Sequence, residues 1–287
     1  MSSFSLWSEQ WIPVIDLDGQ ASSLSLRDTL ARATEIQEIF DPSPLIEVAV
    51  FRLLQAVLYR IFEIRDDEQW VELWEAPALD SFRIDQYGER FSNCFDLLHP
   101  TMPFYQVGKM EKEKEHPISA LVIEAASGNN ATLFDHGQVE GEDWLPLDRA
   151  ACHLVAYQAF ALGGGVSKPF NRMDAPLSKG MIIQAIGRNL KESLLLNSMP
   201  RERWEPHIVD MGKDAPFWEL EKQPAPKKEG THPLGLMHYL TWQSRQIYLC
   251  PDNSGKRIVG CQIRQRYALP KTGDKLDPYK PYRLTKK

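Results

Sequence analysis

The sequence predicts a mixed α/β (α+β) fold, with central buried helices and a C-terminal β-hairpin, as one domain over residues 1–287. Three observations support this prediction. The mostly apolar stretch Leu45–Ile64 follows Ser43 and Pro44, an expected N-cap and first-turn residue. A second apolar stretch, Leu147–Leu162, stops at three consecutive glycines. Near the C-terminus, two alternating segments are joined by the turn sequence Pro-Asp-Asn-Ser-Gly-Lys.

The N-terminal third predicts one strand and two helices. Leu6–Ile15 is expected to form a short strand that ends at the turn Asp16–Gly19. Leu24–Ala33 places apolar residues at helical spacing, and Ser25 is the expected N-cap. Because apolar residues cover most faces of Leu45–Ile64, this helix is expected to be central and largely buried.

The middle of the chain carries weaker signals. Residues 65–115 mix aromatic and turn residues, and within them the charge run Glu111–Glu115 predicts a solvated loop. Met181–Ala185 is expected to have regular structure, and Leu190–Met199 is expected to be helical. The proline-rich stretch 206–233 predicts a long surface connection.

Composition excludes or disfavours several classes of protein. With 43% hydrophobic and 25% charged residues, the chain is neither disordered nor fibrous. No run of eighteen apolar residues exists, and the N-terminus lacks the basic and apolar regions of a signal peptide, so neither a membrane span nor secretion is expected. The cysteines are too scattered for a disulfide scaffold, which favours a reducing cytoplasm. They are Cys94, Cys152, Cys250 and Cys261.

No residue pattern predicts catalysis. Cys250 and Cys261 are not at metal-ligand spacing and are expected to face each other across the hairpin as small buried side chains. Histidines and carboxylates show no spacing typical of an acid–base or nucleophile–base pair. We therefore expect no enzymatic activity, no metal and no cofactor.

Charge is unevenly distributed along the chain. The formal net charge is −6, but residues 256–287 contain ten Lys or Arg and two acids, a balance of +8, which leaves −14 for the rest. An acidic body with a basic end suits a subunit that meets nucleic acid along one edge. A solvated basic tail without a partner is the alternative.

Three glycines follow the second predicted helix: Gly163, Gly164 and Gly165. They begin a segment, residues 162–172, that we call the glycine loop. Backbone without side chains can present N–H groups to an oxyanion or lie against a base-pair edge, and the cations Lys168 and Arg172 follow closely. A nucleotide-hydrolysing loop is disfavoured because Gly-Lys-Ser/Thr is missing and the glycines follow a helix. A helix end with a flexible loop is the alternative.

The last strand of the hairpin carries two arginines. Alternation places Arg264 and Arg266 on one face with Gln262, and Gln265 on the other face. Two arginines on one strand face can reach phosphates or a groove together. The alternative is a solvent-facing strand whose charges only aid solubility.

Several segments together resemble the large subunit of type I-E CRISPR Cascade complexes, the CasA family. They occur in the family's order from the first residues almost to the last. They are FSLWSEQWIPV, SLRDTL, SGNNATLFDHG, AFALGGGVSKPFNRMDAPLSKG, IGRNLKESLLLN, LTWQSRQIYLCPD and GCQIRQRYAL with LDPYKPYR.

The resemblance implies a non-catalytic role in an RNA-guided surveillance complex. In such complexes CRISPR RNA (crRNA) pairs with the target strand, while the large subunit recognises the protospacer-adjacent motif (PAM) on double-stranded DNA from the minor groove. The expected partners are target DNA and the crRNA-bound backbone, handle-binding and small subunits. A helicase–nuclease effector is left open as a further partner, and no membrane is expected.

Carried over by position, the resemblance assigns the glycine loop to PAM contact, with Gly164 as the best candidate. The family's basic finger falls near GCQIRQRYAL, where the matching residue is Gln265 or Arg266, with Arg264 beside it. Three nearby cations are expected to attract phosphates: Lys168, Arg172 and Lys179.

A second family loop, which reaches the RNA 5′ handle and neighbouring subunits, matches residues 129–137. Its candidate contact residues are Asn129, Asn130, Thr132, Phe134, Asp135 and His136. A scaffold that docks through this loop without sensing a PAM is the rival interpretation.

Family members are considerably longer than this sequence. They continue into a wedge and a C-terminal helical bundle, which this N-terminal-type domain is expected to lack. The sequence leaves open whether the chain is a fragment, a naturally short form or a protein completed by another polypeptide.

Overall fold

The computed structural model describes residues 3–124, 143–204 and 214–270, together with Asp277 and Lys280. Within these residues the fold is mixed α/β, as predicted. The strands are β1 (Ile12–Asp16), β2 (Ala21–Leu24), β3 (Ile36–Ile39), β4 (His116–Pro117), β5 (Leu145–Pro146), β6 (Arg245–Pro251) and β7 (Arg257–Gln265). The helices are α1 (Leu26–Ala31), α2 (Pro44–Phe62), α3 (Asp67–Glu75), α4 (Ser81–Phe91), α5 (Leu147–Phe160), α6 (Leu190–Leu196) and α7 (Leu236–Leu240).

The N-terminal elements form a three-stranded antiparallel sheet with the order β2-β1-β3. Ile12 lies opposite Leu24 and Val14 opposite Ile39. The predicted strand is therefore present, but only its second half is in the sheet. The N-cap prediction for α1 is confirmed, because the Ser25 hydroxyl accepts a hydrogen bond from the Asp28 N–H.

Helices α2 and α5 form the centre of the core, as their apolar composition predicts. Pro44 occupies the first turn of α2, although the Ser43 hydroxyl makes no capping hydrogen bond. Most residues of both helices are buried, and α5 ends at Phe160, just before the glycines. Among the described helices, none combines the length and apolarity that crossing a bilayer requires.

Sequence periodicity did not identify α3 and α4. Helix α3 fully buries none of its residues, and α4 fully buries only Ile84, Tyr87 and Gly88, although both helices place partly buried apolar side chains such as Trp74 and Phe91 against the core. Their N-caps were the available signal, since Asp66 and Asp80 accept hydrogen bonds from backbone N–H groups of the first turn.

Two predictions for the segment after the glycine loop have different outcomes. Met181–Ala185 forms neither a helix nor a strand, so the prediction of regular structure is wrong. Met181 and Ile183 are exposed, and Ile182 between them packs partly buried against the core. The helix predicted over 190–199 is confirmed as α6.

The predicted hairpin is confirmed as β6 and β7. Strand β7 pairs with β6 along one edge, while β4 and β5 pair with short stretches of its other edge. Cys261 lies opposite Leu249, and Cys250 lies opposite Gly260. The two cysteines are buried, but they occupy opposite faces instead of facing each other.

The stretch 206–233 is not a surface connection throughout its described part. Residues 205–213 lie outside the described residues. Beyond them, the Phe217 ring lies 4.4 Å from the Tyr105 ring, centroid to centroid, within an aromatic cluster. Thr231 donates its N–H to the Ala268 carbonyl at 2.8 Å. Aromatic burial at one end and a backbone hydrogen bond at the other anchor this stretch to the core.

Candidate nucleic-acid interface

The glycine loop turns back on itself directly after α5. The Gly164 N–H donates to the Arg172 carbonyl at 2.9 Å, and the Arg172 N–H donates to the Gly165 carbonyl at 3.3 Å. Below this pair, the Ala175 N–H donates to the Ala161 carbonyl at 2.9 Å. These backbone hydrogen bonds join the two ends of the glycine loop at its base.

Each glycine is required for a local reason. Gly164 and Gly165 have φ angles of +107° and +80°, a region that side chains with a Cβ rarely adopt. A Cβ at Gly163 would lie 2.9 Å from the Asp174 backbone nitrogen, which is too close. Gly164 and Gly165 are exposed, and no atom lies within 4 Å of a Cβ built on either. Bare backbone is therefore open to a ligand at these two positions.

The fold joins the glycine loop to the end of β7. The Ser167 hydroxyl accepts a hydrogen bond from the Gln265 N–H at 3.0 Å, and the Gln265 side-chain oxygen accepts one from the Met173 N–H at 2.8 Å. Arg172 donates to the Ile263 carbonyl at 3.4 Å. The glycine loop and the end of β7, which the sequence predicts as separate candidate sites, are thus parts of one surface.

Gln265 is an internal anchor. Its side chain is fully buried and also donates to the carbonyls of Ser244 and Tyr267. The expectation that Gln265 contacts DNA with its side chain conflicts with this burial, because all its polar atoms bond to the protein. Of the two residues that match the basic finger, Arg266 is the one that remains partly exposed.

The two arginines of the strand end differ in their surroundings. Arg264 donates to the Gln246 side-chain oxygen at 2.9 Å and lies 3.7 Å from a Glu113 carboxylate oxygen, so its charge is partly compensated. Arg266 follows the last residue of β7, and its guanidinium lies 5.0 Å from the centroid of the Tyr267 ring. Gln262 is buried, so this part of the strand is not the solvent-facing face that the alternative assumed.

The candidate lysines also differ from each other. Lys179 is exposed and forms an ion pair with Asp174, whose other carboxylate oxygen accepts the Gly163 N–H at 2.8 Å. The pKa of Asp174 is lowered, chiefly by the hydrogen bond from Lys179 and further by the one from Gly163. Lys168 is exposed, and no carboxylate pairs with it in the described parts of the chain.

Sequence reasoning missed Arg245, which lies beneath the glycine loop with a side chain that is 1% exposed. It donates to the Leu162 carbonyl at 2.9 Å and to the Gln265 side-chain oxygen at 3.2 Å. Arginine at a strand start is ordinarily exposed. The available signal was its alternation with Ile247 and Leu249, which places it on the buried face of β6.

Below Tyr267, His238 is completely buried and provides a pH-dependent contribution to stability. Its Nδ1 accepts the Leu234 N–H at 3.1 Å, and burial, together with the Arg266 charge, lowers its pKa to about 4. A histidine whose pKa is lower in the folded state stabilises the fold above its ordinary pKa near 6.5. We expect about 3 kcal/mol of the free energy of unfolding to be lost as the pH falls from 6.5 to 4.

Denaturant unfolding at pH 7 and pH 4.5 tests this expectation with His238→Asn. The asparagine oxygen can still accept the Leu234 N–H, but it does not titrate. The wild-type protein should lose more stability than the variant between these pH values. Equal losses in both proteins would contradict a buried neutral histidine.

Two further sequence predictions concern metals and the RNA-contact loop. Within the described ranges, no group of His, Cys, Asp and Glu could hold a metal ion. The predicted RNA and subunit contact loop, residues 129–137, lies outside the described residues. Its assignment stays a prediction.

Comparisons with known proteins agree on one family. Residues 5–287 match the model of the family CRISPR-associated protein Cse1. The CRISPR-associated protein CasA/Cse1 of Thermus thermophilus is 36% identical over 270 residues, which cover 91% of this chain and 51% of that protein.

Solved structures give the same result. Thermobifida fusca Cse1 is 28% identical with a TM-score of 0.80, covering 93% of this chain and 52% of that one. Acidimicrobium ferrooxidans Cse1 is 28% identical with a TM-score of 0.77, covering 97% and 54%. A chain of a CRISPR RNA-guided surveillance complex has the same fold, with a TM-score of 0.83 at 23% identity. The sequence thus spans about half the length of the relatives it matches.

Proposed function

The chain belongs to the CRISPR-associated Cse1 (CasA) family, and from this premise we propose that it is a non-catalytic, PAM-recognising part of the large subunit of an RNA-guided surveillance complex. Its partners would be target double-stranded DNA and the crRNA-bound subunits. One observation carries the proposal: the exposed glycine backbone and the basic end of β7 are tied into a single surface by hydrogen bonds. Recruitment of a helicase–nuclease is left open, as in the sequence analysis.

The proposed contact uses backbone and cations for different purposes. Exposed backbone at Gly164 and Gly165 has no side chain to keep it from a groove about 6 Å wide. Lys168 and Arg266 would contact phosphates, which fix orientation without specifying sequence. Because the minor groove presents a degenerate pattern of donors and acceptors, such a reader would tolerate several related PAMs.

Replacing Lys168 with alanine tests the phosphate contact. We expect weaker binding to every duplex alike, and a slope of log affinity against log salt that is smaller by about one unit. Binding of the assembled complex to PAM-bearing and PAM-free DNA at several salt concentrations measures both effects. A loss confined to PAM-bearing DNA would contradict the assignment.

Lys256→Ala is the matched control for this experiment. Lys256 is also exposed, but it lies in the hairpin turn before β7, whereas the glycine loop contacts the other end of that strand, which is roughly 27 Å long. The control removes the same charge from the basic C-terminal region. It should leave the salt slope unchanged if only a lysine beside the glycine loop contacts a phosphate.

Scaffolding without PAM recognition is the second candidate function. Exposed apolar side chains on the segment after the glycine loop favour it, since such side chains suit a protein partner. They are Met181, Ile183 and Ile186.

Photo-crosslinking distinguishes the two functions. Val166, at the tip of the glycine loop, is 91% exposed and can be replaced by a photoreactive amino acid with little effect on packing. In the assembled complex with PAM-bearing target, we expect crosslinks to DNA. Crosslinks to RNA or protein subunits alone would support the scaffold instead.

A further inference from the structure

We infer that Arg245 is a positioning residue for the glycine loop, holding the peptide groups before Gly163 against the end of β7. The DNA-binding consequence of this inference rests on the proposed function. The positioning itself rests on the contacts of the described residues.

Arg245 links three elements through one guanidinium. One terminal nitrogen donates to the carbonyls of Leu162 and Ala161, at 2.9 and 3.4 Å, where the chain leaves α5. The other donates to the Ser244 carbonyl and to the Gln265 side-chain oxygen, at 3.1 and 3.2 Å. The planar guanidinium of arginine can donate hydrogen bonds to two sets of acceptors on different sides at once. A lysine ammonium at the end of a flexible chain cannot hold both sets in fixed geometry.

The same network continues into the far side of the loop. The Gln265 oxygen that accepts from Arg245 also accepts the Met173 N–H. Opposite it, the Gly163 N–H donates to Asp174. Arg245 therefore holds the backbone that enters the glycine loop after α5. Through Gln265 it also holds the backbone that leaves the loop at Met173.

The charge of Arg245 is not neutralised by an ion pair. Its acceptors are carbonyl and amide oxygens, and its Nε has no hydrogen-bond partner among the described residues. Asp174 attracts it weakly, and the nearby Arg172 repels it. Burial lowers the pKa of Arg245 to about 10, so the group stays protonated at neutral pH.

A buried cation without a carboxylate costs stability, and an apolar side chain would often pack there at lower cost. Such a cost indicates a function for the residue. Here the cation fixes the loop backbone in place and adds positive potential beneath a surface proposed to meet phosphates.

Hydrogen–deuterium exchange of the full chain tests the positioning role. In Arg245→Lys, a lysine ammonium cannot keep both sets of charge-assisted hydrogen bonds that Arg245 makes. The hydrogen-bonded amides of residues 163–175 should therefore exchange about tenfold faster or more. Arg149→Lys is the matched control: Arg149 is a partly buried arginine paired with Asp41, on the first turn of α5. It should leave exchange in the loop unchanged.

Arg245→Met is a second variant, which removes the charge entirely. If it does not fold, Arg245→Lys alone tests whether Arg245 positions the glycine loop. Unchanged loop exchange in a folded Arg245→Lys chain would overturn the positioning role. In the assembled complex, we expect the same variant to lower the ratio of the affinity for PAM-bearing DNA to that for PAM-free DNA roughly tenfold. This is the effect of losing one base contact. Faster exchange with an unchanged ratio would support the positioning role and contradict the proposed DNA contact.

Discussion

Gly164→Asp is expected to abolish discrimination between PAM-bearing and PAM-free duplexes. Position 164 is exposed and no atom lies within 4 Å of a Cβ built there, so the chain should still fold. The positive φ of +107° costs about 1–2 kcal/mol for a residue with a Cβ. A carboxylate there would keep the backbone from base edges and repel phosphates, which we expect to weaken PAM-dependent binding at least tenfold.

Two alanine variants separate the causes of this effect. Gly164→Ala adds a Cβ without charge, and it should lose part of the discrimination. Gly19→Ala is the matched control, because Gly19 also has a positive φ, +80°, and open space around it in the turn between β1 and β2. Binding measured in the assembled complex should be unaffected by Gly19→Ala. Retention of full discrimination in Gly164→Asp would defeat the proposed PAM contact.

Asp277→Asn is expected to cause the largest loss of stability. Asp277 is completely buried, lies 3.1 Å from the Arg52 guanidinium on α2, and accepts a hydrogen bond from the Tyr239 hydroxyl at 3.2 Å. Removing one charge of a buried ion pair costs about 3–5 kcal/mol. The melting temperature should fall by roughly 5–8 °C.

Asp85→Asn provides the control for this prediction. Asp85 pairs with Arg27 at 2.8 Å, but both side chains are more than one third exposed, and solvent screening leaves such pairs with little effect on stability. Thermal unfolding of the two variants should therefore differ clearly. Similar melting temperatures would contradict the buried ion pair. Lys280 donates to the Lys179 carbonyl at 3.0 Å, in the segment after the glycine loop.

Local patterns were sufficient to predict several elements. Ser25 caps α1 through a contact three residues away, and the Pro-Asp-Asn-Ser-Gly-Lys turn joins adjacent strands. Helices α3 and α4 were missed because the mixture of aromatic and turn residues in 65–115 was interpreted as irregular, although apolar residues such as Trp70 and Trp74 recur there at helical spacing. Phe217 was assigned to a surface connection because prolines near it indicate a loop, yet its partner Tyr105 is distant in sequence.

The residues alone predicted a mixed α/β fold, a helix that ends at three glycines and a hairpin near the basic C-terminal end. They also showed that segments in a fixed order resemble one family. These conclusions depend on interactions between near neighbours. Only the tertiary structure decided that Gln265 is an anchor, that Arg245 lies beneath the glycine loop, and that the loop meets β7 across 98 residues of sequence. The physical reason is that a polar side chain can be buried only where partners satisfy its hydrogen bonds, and these partners come from distant parts of the chain.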